Sequence, residues 1–290
     1  MPDFIKQNVQ WFPGHMAKTR RLIKESLNLV DGVVEIVDAR IPVSSRNPEL
    51  DSIIKKKPRI ILLNKCDVAD SQATSMWLKY FRDKGFYAAA VDCRTGKGLN
   101  SFDSLVKQAL KSVIERNDAK GMSGKPLRLM VVGIPNTGKS SFINRMGKNA
   151  KAKVADKAGV TRQNQWFVVG NGIELLDTPG VLWPKFDDLE VGDKLAFIGS
   201  VKDEVTDKET LACRLLESLA ATRPQAIEDR YKISGISGLQ GWEILEMIGK
   251  KRGFLIKGGE IDYERAAVIV ADEFRGGKLG RITLELPIDE

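Results

Sequence analysis

The sequence predicts an α/β fold in which a mostly parallel sheet is wrapped by helices and followed by a small, mostly helical domain. Short apolar runs alternate with amphipathic stretches through the first two thirds of the chain, a pattern typical of a parallel sheet with helices on its faces. After about Lys202, candidate strands become few and helical spacing dominates. We therefore predict two domains, at residues 1–202 and 203–290.

Five apolar runs are the predicted strands, and six amphipathic stretches between or after them are the predicted helices. The strands are residues 33–37, 60–63, 88–91, 127–132 and 173–176. The helices are residues 16–29, 75–84 and 99–114 in the first domain and 206–221, 239–250 and 263–274 in the second. Residues 117–126 contain Gly121, Gly124 and Pro126 and are predicted to be a linker.

Composition excludes several classes of protein. No apolar run of the 290 residues approaches the roughly 20 that a membrane-spanning helix needs. The three cysteines are scattered and there is a single histidine, so a Cys/His zinc site is not expected. We predict a cytoplasmic protein that does not bind a membrane.

The net charge of +8 is unevenly distributed. Residues 1–205 hold 33 Lys/Arg against 23 Asp/Glu, whereas residues 206–290 hold 13 against 15. A basic field on one part of a protein favours a polyanionic partner, and nucleic acid is one such partner.

The strongest motif is G-I-P-N-T-G-K-S at residues 133–140, which follows a predicted strand and is itself expected to open a further helix. This is the context in which G-x-x-x-x-G-K-[ST] forms a phosphate-binding loop, or P-loop. Backbone N–H groups surround phosphate oxygens, Lys139 reaches the β- and γ-phosphates, and the Ser140 hydroxyl is a ligand for Mg²⁺. The residues of this loop assigned to phosphate are Asn136, Thr137, Gly138, Lys139, Ser140 and Ser141.

D-T-P-G at residues 177–180 follows another predicted strand. Alone it is an ordinary turn signal, but after a phosphate loop it predicts that Asp177 holds Mg²⁺ and that Gly180 donates its N–H to the γ-phosphate. Thr161 lies between the two motifs, where a threonine in a mobile loop closes on Mg²⁺ and γ-phosphate. The alternative for Thr161 is a solvated loop residue.

N-K-C-D at residues 64–67 predicts recognition of guanine. The Asp67 carboxylate accepts hydrogen bonds from N1–H and the 2-amino group of guanine, whereas adenine would leave it unpaired at a cost of about 1–3 kcal/mol. The Lys65 stem is predicted to lie along the base. Asn64 is predicted to bridge to the phosphate loop.

D-C-R at residues 92–94 follows the next strand, where GTPases usually have Ser-Ala-x. A backbone N–H of this loop is expected to contact guanine O6, so Asp92 and Cys93 complete the predicted guanine site. The guanine motifs then span residues 64–98, and the phosphate loop and switches span residues 133–186.

The order of the motifs decides the fold. In ordinary GTPases the phosphate loop comes first and N-K-x-D late, and here the order is reversed. The sequence therefore predicts a circularly permuted P-loop GTPase domain, in which the linker at 117–126 joins the former termini. The permutation also puts D-T-P-G and its loop directly before the C-terminal domain. A movement of this loop driven by the γ-phosphate could then move that domain.

The residue that activates water is not evident. Many GTPases place a glutamine after D-x-x-G, but here the next residue is Val181. An imidazole can orient or deprotonate water at neutral pH, and the single histidine is His15. The alternatives are a surface histidine in a helix-start turn and a catalytic group supplied by a partner.

These motifs resemble the ribosome biogenesis GTPase A family, the YlqF-type circularly permuted GTPases. The resemblance covers nearly the whole chain. It rests on W-F-P-G-H-M-A-K (11–18), D-A-R-I-P (38–42), S-S-R-N-P (44–48), N-K-C-D, G-I-P-N-T-G-K-S, G-V-T-R (159–162), D-T-P-G-V-L-W-P-K-F (177–186) and F-R-G-G-K-L-G (274–280).

The resemblance implies a GTPase that binds the large (50S) ribosomal subunit precursor late in assembly, contacts rRNA and is stimulated by that subunit. It implies that His15 is the catalytic residue, that Val181 replaces the usual glutamine and that Asn136 belongs to a K⁺ site beside the phosphates. It also implies an RNA-binding C-terminal domain. Because that domain carries more acidic than basic residues, RNA contacts would come from local faces such as residues 250–252 or 275–281, and the alternative is that these are solvated helix ends. We expect a monomer.

Two other functions compete with this one. A signalling-type GTPase that switches protein partners would carry the same nucleotide motifs, but the basic first domain, the permuted order and the absence of a lipidation motif favour the assembly GTPase. An RNA-binding module with a vestigial nucleotide site is disfavoured because Lys139, Ser140, Asp177 and Asp67 are all present.

Overall fold

The computed structural model describes residues 14–54, 57–147, 165–180, 188–201 and 207–287, and for residues 14–19 it describes only the backbone of a helix. Contacts divide this part of the chain into two compact units. The sheet unit comprises the described residues of Phe12–Pro184 and Thr283–Glu290, and the helical unit comprises those of Lys185–Ile282. The predicted boundary at 202/203 lies within the helical unit, and the last described residues group with the sheet.

Among the described residues, six strands form one sheet in the order β3-β2-β1-β4-β6-β5. They are β1 (Gly32–Asp38), β2 (Arg59–Asn64), β3 (Tyr87–Ala90), β4 (Leu127–Val132), β5 (Gln165–Val168) and β6 (Ile173–Asp177). All neighbouring pairs are parallel except β5 and β6, which are antiparallel. The predicted mostly parallel sheet is confirmed, and each of the five predicted strands lies within two residues of an observed one.

The helices of the sheet unit cover both faces of the sheet. They are α1 (Gly14–Ser26), α2 (Glu49–Ile54), α3 (Ser71–Asp83), α4 (Phe102–Ala109), α5 (Lys111–Ala119) and α6 (Lys139–Gly147). Alternate residues of β1 point to opposite faces, so that Val34 and Ile36 pack in a core with Phe102 and Phe142, whereas Val33 packs with α1 and α2. Both faces are buried, which explains why the strands are continuous apolar runs.

The strand order of the sheet accommodates the permuted order of the motifs. The strands β1–β3 form one half and carry the guanine motifs, and β4–β6 form the other half and carry the phosphate loop and D-T-P-G. The central strands β1 and β4 are parallel neighbours. Because the carboxyl ends of parallel strands meet at one edge, the loops after β2, β3, β4 and β6 share that edge of the sheet.

Three helices and one strand were not predicted, and the long predicted helix at 99–114 is replaced by a 3₁₀ turn, α4 and α5. Strand β5 is short and lies at the edge, with only alternate residues covered. The unpredicted helices are α2, α7 (Leu189–Phe197) and α9 (Pro224–Tyr231). Helix α9 begins at Pro224, in keeping with the preference for proline in the first turn of a helix.

In the described part of the helical unit, α8 (Lys208–Thr222) is central and packs against the other four helices. The remaining helices are α7, α9, α10 (Gly241–Arg252) and α11 (Tyr263–Arg275). At Gly241 the α10 backbone lies so close to Cys213 of α8 that a Cβ would overlap the Cys213 carbonyl. No helix among the described residues is long and apolar enough to span a membrane.

The last described residues return to the sheet unit, and we call residues 283–287 the return segment. The Leu284 N–H donates to the Arg40 carbonyl at 2.8 Å, and Trp77 Nε1 donates to the Glu285 carbonyl at 2.9 Å. Glu285 is 9% exposed, and its carboxylate accepts hydrogen bonds from the Val43 N–H at 2.8 Å, the Ser44 N–H and the Ser44 hydroxyl. The return segment therefore satisfies backbone and side-chain groups of the turn that follows β1.

Candidate nucleotide site

The phosphate loop joins β4 to α6 with backbone conformations that few residues adopt. Asn136 has φ 62° and Gly138 has φ 99°, both left-handed. The Thr137 hydroxyl donates to the Ile134 carbonyl at 3.0 Å, which closes the turn internally. The loop leads into the N-terminus of α6 at Lys139, where unpaired N–H groups and the helix dipole favour an anion.

The conformation of the phosphate loop requires glycine at position 138. A Cβ at Gly138 would overlap the Asn64 side-chain amide, in addition to the strain of its positive φ. We expect Gly138→Ala to lower GDP affinity by about tenfold or more, since a left-handed non-glycine residue costs about 1–2 kcal/mol before the overlap is counted. Titration with a fluorescent GDP analogue measures this affinity.

Gly147, at the other end of α6, is the matched control. A Cβ there meets no atom within 4 Å, so Gly147→Ala should bind GDP within about twofold of the unmodified protein. Equal GDP affinity in the two variants would show that the observed loop conformation is not the one that binds nucleotide.

The two phosphate motifs are in contact with each other. Lys139 is buried, and its Nζ lies 2.7 Å from Asp177 Oδ1 at the end of β6. Thr178 Oγ1 donates to the Val131 carbonyl at 2.7 Å, and a Cβ at Gly180 would lie 3.2 Å from the Pro135 nitrogen. D-T-P-G therefore lies directly beside the phosphate loop, with its aspartate held by the loop lysine.

Asn64 joins the guanine motif to the phosphate loop. Its Nδ2 donates to the Thr137 carbonyl at 2.7 Å, and its Oδ1 accepts from the Cys93 N–H at 2.9 Å. The side chain is buried, so neither bond is exposed to water. The bridge predicted from the sequence is present, and it extends to the loop after β3. One amide therefore ties together three of the loops at the carboxyl edge.

The loop after β3 is organised by Asp92. Its carboxylate accepts from the Arg94 N–H at 2.8 Å and from Thr95 Oγ1 at 2.6 Å. Burial would raise the pKa of Asp92, but the hydrogen bonds from Thr95 and Arg94 outweigh it and lower the pKa. The Asp92 side chain therefore shapes the loop. The Cys93 N–H already donates to Asn64 in this structure. Which backbone N–H of this loop contacts guanine O6 therefore stays a prediction.

Burial raises the pKa of the Cys93 thiol to about 12, with smaller contributions from Asp92 and Cys66. The thiol is therefore neutral at physiological pH and is not a nucleophile. Its place in the predicted guanine site depends on its backbone alone.

Two contacts of the guanine motif were not predicted. Asp67 Oδ2 lies 3.2 Å from Arg94 Nη2, and the Arg94 side chain is 80% exposed. Lys65, which has φ 61°, places its Nζ 3.0 Å from Asp38 Oδ2 at the end of β1. Burial would raise the pKa of Asp38, but Arg40 and Lys65 hold it well below its ordinary value.

Several predicted site residues lie outside what the structure describes. Thr161 and Val181 fall in undescribed ranges, and of His15 only the backbone is described, as the second residue of α1. Ser140 and Ser141 are exposed at the start of α6, and Asn136 is exposed in the loop. The structure therefore brings together the guanine motif, the phosphate loop and D-T-P-G, whereas His15, Thr161 and Val181 stay predictions.

The two basic stretches of the helical unit differ in what they contact. In the first, Lys250 pairs with Glu246, and Arg252 Nη2 donates to the Arg230 carbonyl at 3.1 Å, but the three basic residues at 250–252 are exposed. In the second, Arg275 is half-buried and donates to the Ala196 and Phe197 carbonyls at the end of α7. Arg275 therefore has a structural role within the unit.

Comparison with known proteins gives a consistent result. A family model described as "50S ribosome-binding GTPase" matches residues 128–230. The chain is 47% identical over 281 residues to Ribosome biogenesis GTPase A of Priestia megaterium, covering 96% of this chain and 97% of that protein. It is 44% identical over 279 residues to the protein of the same name from Bacillus cereus, covering 96% and 94%.

Solved structures agree with the sequence relatives. A GDP-bound structure of TM YlqF is 32% identical, with a TM-score of 0.67 over 93% of this chain and 100% of that chain. A GNP-bound structure of YlqF from T. maritima is 30% identical, with a TM-score of 0.62 over 94% and 100%. The likeness therefore extends over both units of the chain.

Proposed function

Because this chain belongs to the ribosome biogenesis GTPase A family, we propose that its GTP hydrolysis drives or checks a late step in the assembly of the large ribosomal subunit. The chain is a GTPase of ribosome assembly. The observation that carries the site assignment is the Asn64 bridge, which joins the guanine motif and the phosphate loop in one buried hydrogen-bond network. A nucleotide held by both motifs has its base and its phosphates fixed relative to each other.

Each phosphate-site residue has a role that follows from its chemistry. Lys139 is the cation that meets the β- and γ-phosphates, and on binding it exchanges the Asp177 carboxylate for phosphate oxygens. Gly180, at which a Cβ would lie 3.2 Å from the Pro135 nitrogen, is assigned to donate its N–H to the γ-phosphate. Thr161, which lies between the two phosphate motifs in sequence, is assigned to complete the triphosphate site. This exchange at Lys139 frees a carboxylate oxygen when nucleotide enters.

The residues present fit Mg²⁺. The Ser140 hydroxyl and the Asp177 carboxylate are hard oxygen donors, the ligand type that Mg²⁺ prefers, and few protein ligands are needed when phosphates and water supply the rest. When bound, Mg²⁺ would neutralise charge on the phosphates. For K⁺, Asn136 offers a side-chain oxygen on an exposed left-handed turn of the phosphate loop, and K⁺ binding there is part of the proposal.

We assign water activation to His15 because Val181 has no polar group to orient water. A neutral imidazole can accept a proton from the attacking water or orient it. The partner is the large-subunit precursor and its rRNA, in keeping with the basic excess of residues 1–205 and the exposed basic residues at 250–252. We place the protein in the cytoplasm as a monomer.

The test is GTP hydrolysis by the purified protein with and without large ribosomal subunits, for the unmodified protein and His15→Ala, in K⁺ and Na⁺ buffers. We expect stimulation by the subunit, and a fall of the stimulated rate by about a hundredfold in His15→Ala, a typical contribution of a general acid or base. GDP affinity should be unchanged in that variant, and K⁺ should support faster hydrolysis than Na⁺.

Other outcomes would revise particular parts of this function. Absence of stimulation would contradict the ribosomal partner and favour a signalling-type GTPase that switches protein partners. Stimulation that persists in His15→Ala would keep the partner and assign the catalytic group to rRNA or to another loop.

A further inference from the structure

A buried carboxylate lies beside the guanine motif and belongs to none of the assigned nucleotide contacts. Asp38 ends β1 and is fully buried, in register with Asn64 of β2. Burying a carboxylate is costly unless it is paired and hydrogen-bonded. Asp38 accepts from the Arg40 backbone N–H at 3.0 Å and from Arg40 Nε and Nη2 at 2.9 Å each.

One cation is enough to neutralise Asp38, and Arg40 supplies it in a bidentate pair that is 1% exposed on the arginine side. Lys65 is therefore a second cation on the same carboxylate, with its Nζ 3.0 Å from Oδ2. Burial of Asp38 does not require this second pair. Lys65, in contrast, is 28% exposed and follows Asn64 in a left-handed conformation, so its long side chain needs an anchor to adopt one position.

We propose that Asp38 is a positioning residue for guanine recognition, which anchors the Lys65 ammonium so that the lysine stem is held in place for the base. This inference rests on the proposed function of N-K-C-D as the guanine site. Arg40 holds the Asp38 carboxylate in place, and the carboxylate in turn holds the Lys65 ammonium. The apolar stem of Lys65, two residues before Asp67 in sequence, is thereby ordered. The first strand of the sheet thus contributes to base recognition without touching the nucleotide.

A double-mutant cycle separates this role from a structural one. We would measure the affinity for fluorescent GDP of the unmodified protein, Asp38→Asn, Lys65→Met and the double variant, because a cycle isolates the interaction between two sites. Methionine keeps most of the apolar stem and removes the ammonium. We expect each single variant to lose affinity by about five- to tenfold, and the double variant to lose no more than either single one.

Ser45→Ala is the matched control. The Ser45 hydroxyl accepts from the Asp38 N–H at 2.9 Å, so Ser45→Ala should lower the stability of this region because a buried N–H loses its acceptor. The pairs that the Asp38 carboxylate makes with Arg40 and Lys65 are kept, so this variant should still bind GDP within about twofold of the unmodified protein. Competition by inorganic triphosphate, which lacks the base, should be the same in all variants. If the affinity of a variant for triphosphate also falls, the whole nucleotide site has been disturbed. That is the result expected if Asp38 only supports the structure.

Three results would overturn the inference: additive losses in the double variant, equal losses of GDP and triphosphate affinity, or GDP affinity in Lys65→Met within about twofold of the unmodified protein. The last result decides the matter even if Asp38→Asn fails to fold. The unmodified protein is also titrated with ADP. Failure to prefer GDP over ADP would contradict the guanine site itself, and that outcome is distinct from a failure of the Asp38 role.

Discussion

Asp67→Asn should bind xanthosine diphosphate in preference to GDP. The carboxylate of Asp67 accepts from both N1–H and the 2-amino group of guanine, whereas an amide has one acceptor and one donor. Xanthine has N1–H and a 2-carbonyl, which match the amide oxygen and the amide NH₂ in that order. With GDP, the asparagine NH₂ would instead face the guanine 2-amino group, so two donors would meet.

The expected effect on GDP affinity is large for two reasons. A hydrogen bond to a charged group contributes about 1.5–3 kcal/mol, and a buried donor left without an acceptor adds its own desolvation cost. We expect GDP affinity to fall by roughly 10²–10³-fold, and xanthosine diphosphate to become the tighter ligand. Competition of unlabelled GDP and xanthosine diphosphate against one fluorescent nucleotide gives both affinities in the same experiment.

Arg94→Ala is the control for this substitution. Asp67→Asn also removes the ion pair between Asp67 and Arg94, but Arg94 is 80% exposed, and exposed pairs contribute little. Arg94→Ala should therefore keep its preference for GDP over xanthosine diphosphate. Retention of that preference in Asp67→Asn would contradict the guanine assignment of residues 64–67.

Glu285→Ala should destabilise the sheet unit by about 3 kcal/mol, since three hydrogen bonds to a charged acceptor are lost in a largely buried site. The donors are the backbone N–H groups of Val43 and Ser44 and the Ser44 hydroxyl. A loss of this size corresponds to roughly 6–12 °C in the midpoint of thermal unfolding for a domain of this size. Hydrogen exchange gives the local measurement, in which the amides of Val43 and Ser44 should lose protection.

Leu286→Ala is the matched control in the same segment. Leu286 is 60% exposed, and its substitution should change stability by less than about 0.5 kcal/mol. Unchanged protection at Val43 and Ser44 in Glu285→Ala would contradict the docking of the return segment. A GDP affinity close to that of the unmodified protein is expected in both variants, because neither residue belongs to the nucleotide site.

Much of the fold could be predicted because the central strands are buried on both faces. A strand in that position is a continuous apolar run, and 127–132 was located to the residue. Strand β5 escaped prediction because it is an edge strand of four residues with alternating exposure. The turn Gly170-Asn171-Gly172, with positive φ at all three residues, is a hairpin signal that could have revealed it.

In the site, residues that belong to a local sequence motif could be predicted, whereas contacts between residues distant in sequence could not. Motif residues such as Lys139, Asp177 and Asn64 could be identified by type and spacing, since the chemistry of phosphate and guanine binding restricts both. The contacts of Asp38 could not, because D-A-R has no local signature of burial and its second cation, Lys65, lies in the loop after another strand. Glu285 gave no signal either, because a lone acidic residue near the end of a chain is usually solvated.

The return segment has a consequence for how the protein is made. Ser44 and Glu285 are 241 residues apart in sequence, so a ribosome that adds about 5–20 residues per second needs roughly 12–48 s between them. During that interval the turn after β1 is already synthesised, but the carboxylate that accepts its hydrogen bonds does not yet exist. The hydrogen bonds that the return segment makes to this turn therefore cannot form before residue 285 has been synthesised, although all six strands of the described sheet precede it in the chain.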